Sequence, residues 1–281
     1  MKIFVAGAKG MLGMDVCASL EAEGHVLDKS DMDDLDLCDR DALGKRLEAS
    51  KPDVIINCAA YANVDGCETD VMGAYKGNAV IPANLAVVAN KLNAVLVHIS
   101  TDYVFDGETS IPYTESDTPN PASIYGKSKH LGEMNVMRLT NRYFILRIQW
   151  LFGTHGKNFV KTMLALANSR PELMVVDDQF GSPTYTRDVA TAVSELLASE
   201  AYGVYHVSNA SHCTWYQLTK EILDIAGIST PVTPCSTENF PRPAKRPGFS
   251  VLDNTYFVAS GFTPLRHYKE ALRAYLEEEL G

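Results

Sequence analysis

Among the six cysteines of this 281-residue sequence (Cys17, Cys38, Cys58, Cys67, Cys213 and Cys235), no two are spaced C-x-x-C. The pairing typical of zinc sites is missing, and the usage fits small buried hydrophobes in a reducing compartment. No run approaches the ~18 apolar residues that a membrane-spanning helix needs. The opening MKIFVAGA enters an apolar strand at once, without the basic region, apolar core and small-residue cleavage site of a secretory leader, so the expectation is a cytoplasmic protein. Positive charge is also short. The 25 Lys and Arg stand against 35 Asp and Glu, for a net charge of -10 and a pI near 5.2. That sign repels polyanions and argues against a nucleic-acid or membrane-surface partner, while leaving room for a small anion held by local groups. Internal repeats and low-complexity tracts are lacking as well.

What is present is alternation. Apolar β-branched runs, KIFVAGA, HVLDKS, DVIINCAA, AVLVHIST and RYFILRIQW, are separated by segments such as Met11 to Glu23 and Gly73 to Leu92 whose apolar residues recur at helical spacing. Continuous apolar strands between helices predict a parallel sheet covered on both faces, an α/β, Rossmann-like doubly wound fold. The 30.8 kDa chain exceeds one simple domain. After Trp150 the pattern changes: a helix from about Lys157 to Asn168, a strand LMVVDD, a turn QFGSP, a helix from Arg187 to Ala198, a strand VYHVSN, and a final helix from Tyr268 to Leu280. The proline-rich TPVTPCSTENFPRPAKRPGF reads as loop. Residues 1–150 are expected to form the dinucleotide domain, with segments near 174–208 returning to it, and 151–281 mainly a smaller lobe.

Gly7, Gly10 and Gly13 in GAKGMLG follow the first strand and enter the first helix. Glycine there permits the turn and the close approach of a pyrophosphate, whose charge the helix N-terminus favours, so Met11 and Leu12 join the cofactor-binding set. Asp28 could accept from a ribose hydroxyl (NADH), and Lys29 beside it could pair with a 2′-phosphate (NADPH); the sequence leaves the choice open. Asp36 and Leu37, after an apparent short third strand, are expected beside the adenine. Ala59, Ala60 and Tyr61 in NCAAYA end a strand in small residues that leave room for a dinucleotide.

In IYGKSKHLGE, Tyr125 and Lys129 share one face of a helix begun by Asn120, Pro121 and Ser123, with an apolar stripe expected from Ile124, Leu131, Met134 and Met137. Chance alone would give roughly 0.65 such Tyr/Lys pairs, and a second exists, Tyr216 and Lys220. Only the first follows a strand ending in HISTDYVFDG. Reducing a ketone with a nicotinamide leaves charge on oxygen and needs a proton donor. Tyrosine at its reference pKa of ~10 is too weak an acid, but an ammonium nearby lowers it by roughly 1 to 3 units. Lys129 is expected to do this for Tyr125 and to reach the cofactor ribose, while Thr101 binds the substrate oxygen.

At these residues the chain resembles the extended short-chain dehydrogenase/reductase superfamily. STDYVFDG, YGKSK, DQFGSPT, YHVSN followed by TWYQL, and RPGFSVLD occur in the order seen in dTDP-4-dehydrorhamnose reductases. The resemblance implies a Rossmann domain with a sugar-nucleotide lobe, reduction of dTDP-4-dehydro-L-rhamnose with NADPH or NADH, and Thr101, Tyr125 and Lys129 as the catalytic set. RIQW departs from the small polar pair usual before the tryptophan, which places Gln149 and Trp150 at the sugar. Asp102 and Gln179 are expected on the substrate side too. Some members hold a divalent metal at a subunit contact; Asp15 is suitably placed, but neither Mg2+ nor a homodimer is assigned. In RPAKRPG, Arg242, Lys245 and Arg246 form a basic cluster, and Arg246 is the preferred diphosphate ligand. A 4,6-dehydratase or epimerase would show Thr-Asp-Glu where this chain has Thr101, Asp102 and Tyr103, which favours simple reduction. Reduction of another nucleotide 4-keto-6-deoxysugar, or a non-catalytic, cofactor-binding regulatory role, remains as the alternative.

Overall fold

In the first strand, β1 (Lys2–Ala6), Ile3 and Val5 point to one face and Phe4 and Ala6 to the other, and all four are buried. A strand buried on both faces needs helices on both. The chain supplies them in order: α1 (Met11–Ala22), β2 (Val26–Ser30), α2 (Arg40–Ser50), β3 (Val54–Asn57), the short helices α3 (Val64–Thr69) and α4 (Val71–Tyr75), a π-helical turn (Lys76–Val80), α5 (Ile81–Leu92), β4 (Val95–Thr101), α6 (Ile124–Leu139) and β5 (Tyr143–Ile148). There follow β6 (Leu151–Phe152), α7 (Phe159–Ser169), β7 (Leu173–Val176), β8 (Phe180–Gly181), β9 (Thr184–Tyr185), α8 (Thr186–Leu197), β10 (Gly203–His206), β11 (Cys213–Thr214), α9 (Trp215–Ile225), β12 (Val232–Cys235), α10 (Thr255–Ala259) and α11 (Tyr268–Leu280). The computed structural model describes residues 1–280.

Six strands form one parallel sheet in the order β10-β5-β4-β3-β1-β2. On one face Leu12 and Val16 of α1 and Val189 and Val193 of α8 cover Ile3, Val5, Val97 and Phe144. On the other, Leu43, Leu85 and Val136 from α2, α5 and α6 cover Phe4, Ile55, Leu96 and Ile145. Each such side chain contributes about 1.5–3 kcal/mol by leaving water. The doubly wound fold expected from the alternation is therefore present. The strand order reverses at β1, whose neighbours β2 and β3 lie on opposite sides, and this opens a crevice beyond the carboxyl ends of β1 and β3.

A second core joins Phe152, Val160, Met163, Leu173, Leu218, Ile222, Leu272 and Tyr275. Of the segments after residue 150, α8 and β10 lie on the central sheet, whereas β7 pairs in parallel with β12 in the second core. Three expectations need correction. The proline-rich stretch read as loop contains β12, because Val232, Thr233 and Cys235 suit a strand and Pro234 is tolerated in a two-stranded ladder with free edges. No third strand precedes Asp36: residues 31–39 form turns, pinned by the Asp36 carboxylate accepting from Cys38 N at 2.9 Å. The buried face of α6 is not the apolar stripe but Gly126, Ser128, Lys129, Gly132, Glu133 and Val136, while Met137 is exposed. Glycine makes this packing feasible, since a Cβ at Gly126 or Gly132 would lie 2.1 Å from Tyr103 O or Asn78 O.

Candidate active site

The crevice is built first from glycine. Gly7 adopts φ +74° against the backbone of Cys58 and Ala59, and a Cβ on Gly13 would sit 2.1 Å from Gly7 O, so any larger residue would force α1 away from β1. Gly10 caps α1 with no side-chain acceptor on the first-turn N–H groups. Those groups, beginning at Met11 and Leu12, suit a phosphate anion. Leu12 itself packs into the core. Ala59, Ala60 and Tyr61 follow β3 as loop. The Asn78 side chain in the π-helical turn holds that loop, accepting from Tyr61 N at 2.9 Å and donating to Tyr61 O at 3.1 Å and to Ser128 Oγ at 3.0 Å. Asn78 thus ties the loop after β3 to α6, a role without any local sequence signal.

The residues expected at the adenosine end are placed differently. Asp28 lies mid-strand in β2 and takes both forks of Arg46, with Nη2 to Oδ1 at 2.7 Å, while Lys29 pairs with Glu21 at 2.7 Å. β2 runs on to Ser30, so the carboxylate at its mouth is Asp31, which accepts from Lys9 N at 3.0 Å. Leu37 is buried against the α2 and α5 core, with Asn84 donating to its carbonyl at 3.0 Å.

Thr101, the last residue of β4, donates to Asp102 Oδ1 at 2.9 Å and accepts from Tyr103 N at 3.2 Å. Tyr125 enters from the first turn of α6, capped by Ser123, and meets Tyr103 edge to face with ring centroids 5.5 Å apart. Lys129 is buried and donates from Nζ to Ile99 O at 2.5 Å. Burial pushes its pKa down to about 8, opposed by Glu133. The same ammonium lies near enough to Cys58 to pull on its thiol, and Cys58 packs on Gly7, so Lys129 faces the glycine crevice. One expectation is overturned here. Burial holds the Tyr125 phenol above its ordinary pKa, the adjacent Thr101 hydroxyl pulls it down, and Lys129 is not among the groups acting on it. The ammonium instead faces the β4 carbonyl.

Beyond Tyr103 opens a cavity of about 480 Å³ whose walls include Met163, Leu166, Val175, Trp215, Arg242 and Arg246. Apolar walls with a few cations suit a flat ring carrying phosphates. Arg246 forms an ion pair through Nη2 with Asp65 at 2.9 Å, and its buried Nη1 has no partner in the protein. Lys245 lies outside, on Glu108. Gln179 lines the cavity but uses its amide to fix neighbours, accepting from Trp215 Nε1 at 3.2 Å and donating to Thr237 Oγ1 at 2.9 Å. Trp150, at φ +45°, stacks on Trp215 with centroids 3.3 Å apart, and Gly181 makes room for its ring. Gln149 accepts from Ser182 N at 3.0 Å, leaving Nε2 buried and unpartnered; Asp102 Oδ2 is unpartnered too. A larger cavity of about 570 Å³ beside Pro112, Asn254 and Leu265 lies away from Tyr125.

Two other candidates separate clearly. Lys220 sits over the Tyr216 ring at 5.6 Å on α9, a cation–π pair away from the sheet. Asp15 is buried and accepts from Thr186 Oγ1, with His155 3.7 Å away, and no cluster of three metal-ligating side chains exists among the described residues. Tyr103, Asp65 and Trp215 went unpredicted as site residues. For Trp215 the motif TWYQL was a signal. For Asp65 only its carboxylate opposite RPAKRPG could have served.

A family model described as the RmlD substrate binding domain matches residues 1–280. The chain is 40% identical to the spore coat polysaccharide biosynthesis protein SpsK of Bacillus subtilis (strain 168), over 99% of this chain and 97% of that one. The crystal structure of a dTDP-4-dehydrorhamnose reductase from Clostridium acetobutylicum matches with a TM-score of 0.98 and 44% identity over 100% of both chains. That of the Bacillus anthracis dTDP-4-dehydrorhamnose reductase in complex with NADP matches with a TM-score of 0.96 and 39% identity over 99% of both.

Proposed function

The chain belongs to the RmlD substrate binding domain family, and from that premise we propose that it reduces the C4 ketone of dTDP-4-dehydro-L-rhamnose to dTDP-L-rhamnose with NADPH or NADH. One observation carries this reading: the Thr101 hydroxyl adjoins Tyr125 at the end of β4, Lys129 of the same helix donates to Ile99 O of that strand, and Tyr103 leads from Tyr125 into the cavity holding Arg246. The dinucleotide fits the crevice by its donor set, a helix N-terminus without a side-chain cap and close-packed glycines, and when bound it supplies the hydride. Thr101 positions the ketone oxygen. Tyr125, kept protonated by burial, gives its proton to that oxygen as negative charge develops there. The Lys129 cation, which acts on Cys58 beside Gly7, is offered to the cofactor's ribose hydroxyls. Arg246, with one fork unpartnered, takes the diphosphate. Gln149 and Asp102 offer a donor and an acceptor to sugar hydroxyls, with Trp150 at the sugar's edge. The tyrosine at position 103, where dehydration would need a carboxylate, supports reduction alone.

This places the chain at the last step of dTDP-rhamnose formation, in the cytoplasm, feeding cell-surface polysaccharide; likeness to SpsK supports the polysaccharide connection. No helix among the described residues is long and apolar enough to cross a membrane. The test is a cofactor-oxidation assay across several nucleotide 4-keto sugars, with product stereochemistry read by NMR. Oxidation with dTDP-4-dehydro-L-rhamnose yielding dTDP-L-rhamnose is expected. Turnover only of another 4-keto-6-deoxysugar would move the substrate, and turnover of none would overturn the enzymatic reading.

A further inference from the structure

Tyr125, Lys129 and Glu133 stand four residues apart along α6 and so share one face. The reduction described above uses the first two. Glu133 is fully buried and takes both forks of Arg147 on β5, Nε to Oε1 and Nη2 to Oε2, each at 2.9 Å. The remaining Arg147 nitrogen lies 3.4 Å from His206 Nε2, and the guanidinium sits over the Phe105 ring at 5.1 Å. A buried ion pair costs desolvation and is weak as a source of stability, so its place one turn from Lys129 invites a functional account.

The groups facing Lys129 leave Glu133 as its single anion. On α6 there is Glu133, while Tyr125, one turn earlier, is held protonated by burial and does not act on Lys129. On β4 there is His98, kept neutral by burial and by Lys129 itself. After β3 comes Cys58, whose thiol burial pushes up to about 12. From β5 comes Arg147, and behind it on β10 His206, pushed down to about 3 by burial and by Arg147. Glu115 lies farther off, accepting from His206 N.

We propose that Glu133, clamped by Arg147, is a positioning residue that keeps the Lys129 ammonium charged and set against the β4 carbonyl, and so fixes the upper pH limit of the reduction. The consequence for catalysis rests on the role of Lys129 proposed above; the electrostatic link to Lys129 does not. The decisive experiment is NMR titration of the full chain carrying 13C-labelled lysine, with the Lys129 signal assigned by its loss in Lys129→Arg. In Glu133→Gln the Lys129 midpoint falls by about one unit or more. Because that variant leaves Arg147 buried and unpaired, Glu133→Gln/Arg147→Met serves as the second arm. It removes both charges of the pair, as replacement of buried pairs by apolar groups generally allows, and the midpoint falls again, by less. In the NADPH-oxidation assay the alkaline limb of kcat moves down by the same amount, which for a one-unit fall is about a fivefold loss against wild type at a pH one unit above the new midpoint, with KM little changed. Glu133→Asp restores part of the shift. A Lys129 midpoint unmoved in either folded variant overturns the proposal. If the wild-type chain oxidises no NADPH with any 4-keto sugar, the functional reading fails while the titration still decides the role of Glu133.

Discussion

Glu133 and Asp102 are both buried carboxylates beside the reacting face, and the protein treats them in opposite ways. Burial pushes Glu133 up, but hydrogen bonds from His130 and Arg147 outweigh it and bring the group down to about 2. Burial pushes Asp102 up to about 6, and the hydroxyls of Ser250 and Thr101 only partly offset this. The reason is the counter-charge. Glu133 has two guanidinium bonds, whereas Asp102 faces no cation and keeps Oδ2 unpartnered. Charge under α6 is therefore settled within the protein before any ligand arrives. By contrast Asp102 Oδ2, Gln149 Nε2 and, in the cavity wall, Arg246 Nη1 are buried without a partner in the protein, and buried polar atoms of that kind mark where a polar ligand completes the structure.

The comparison predicts a ranking of effects. The largest belongs to the proton itself: Tyr125→Phe should lose roughly 100-fold or more of kcat while NADPH affinity, measured by fluorescence titration, stays within about twofold. A near-normal rate would dissolve the distinction between scaffold and reacting group on α6. Next is the cavity. Arg246→Met removes a charge-assisted bond worth about 1.5–3 kcal/mol, so KM for the nucleotide sugar should rise roughly 10- to 100-fold with kcat less affected. Arg242→Met, whose guanidinium stands 3.9 Å from Asp65 and is more exposed, should do less. Equal effects would mean that loop charge as a whole matters, not the unpartnered fork of Arg246. Gln149→Leu removes another buried, unpartnered donor and is the gentler test. Losing one neutral hydrogen bond of about 0.5–1.5 kcal/mol should lower kcat/KM by roughly 2- to 12-fold.

The two regions also differed in how far the sequence revealed them. The alternating runs and the glycine turn were legible because a strand buried on both faces and a helix start at a phosphate each demand local residue types, as at Ile3 to Ala6 and Gly7 to Gly13. The adjacency of Thr101 and Tyr125 was legible because the first turn of α6 follows the end of β4 and returns to it. The face of α6 was misread because its buried side is polar, and Lys129 and Glu133 find Ile99 O and Arg147 as partners 30 and 14 residues away, with His130 adding to Glu133. The pKa of Tyr125 was misread for the same reason. Spacing shows that an ammonium is near on the helix but not that it is turned to a carbonyl. The placing of Asp28 was not legible because its partner, Arg46, lies 18 residues on in α2, which leaves Asp31 as the carboxylate at the end of β2, and Asn78 and Asp65 act through contacts that local pattern cannot show.

The smallest expected effect separates the two carboxylates most cleanly, through stability rather than rate. Asp102 has a folded pKa raised to about 6 above an ordinary 3.8. Its contribution is fully present below about pH 4 and is lost as pH rises through 6. Glu133 has a folded pKa lowered to about 2 from 4.5, so its contribution is present above pH 4.5 and lost as pH falls toward 2. Asp102→Asn should therefore melt higher than wild type at pH 7.5, by something on the order of 5 °C, with the advantage shrinking between pH 6 and pH 4. Glu133→Gln should melt lower at pH 7.5, with its deficit shrinking only below about pH 4.5. Thermal melts across about pH 2 to 8 on both variants read the opposed slopes directly. Parallel slopes would show that Asp102 is already neutralised within the protein, and would remove the argument that its free oxygen awaits a sugar hydroxyl.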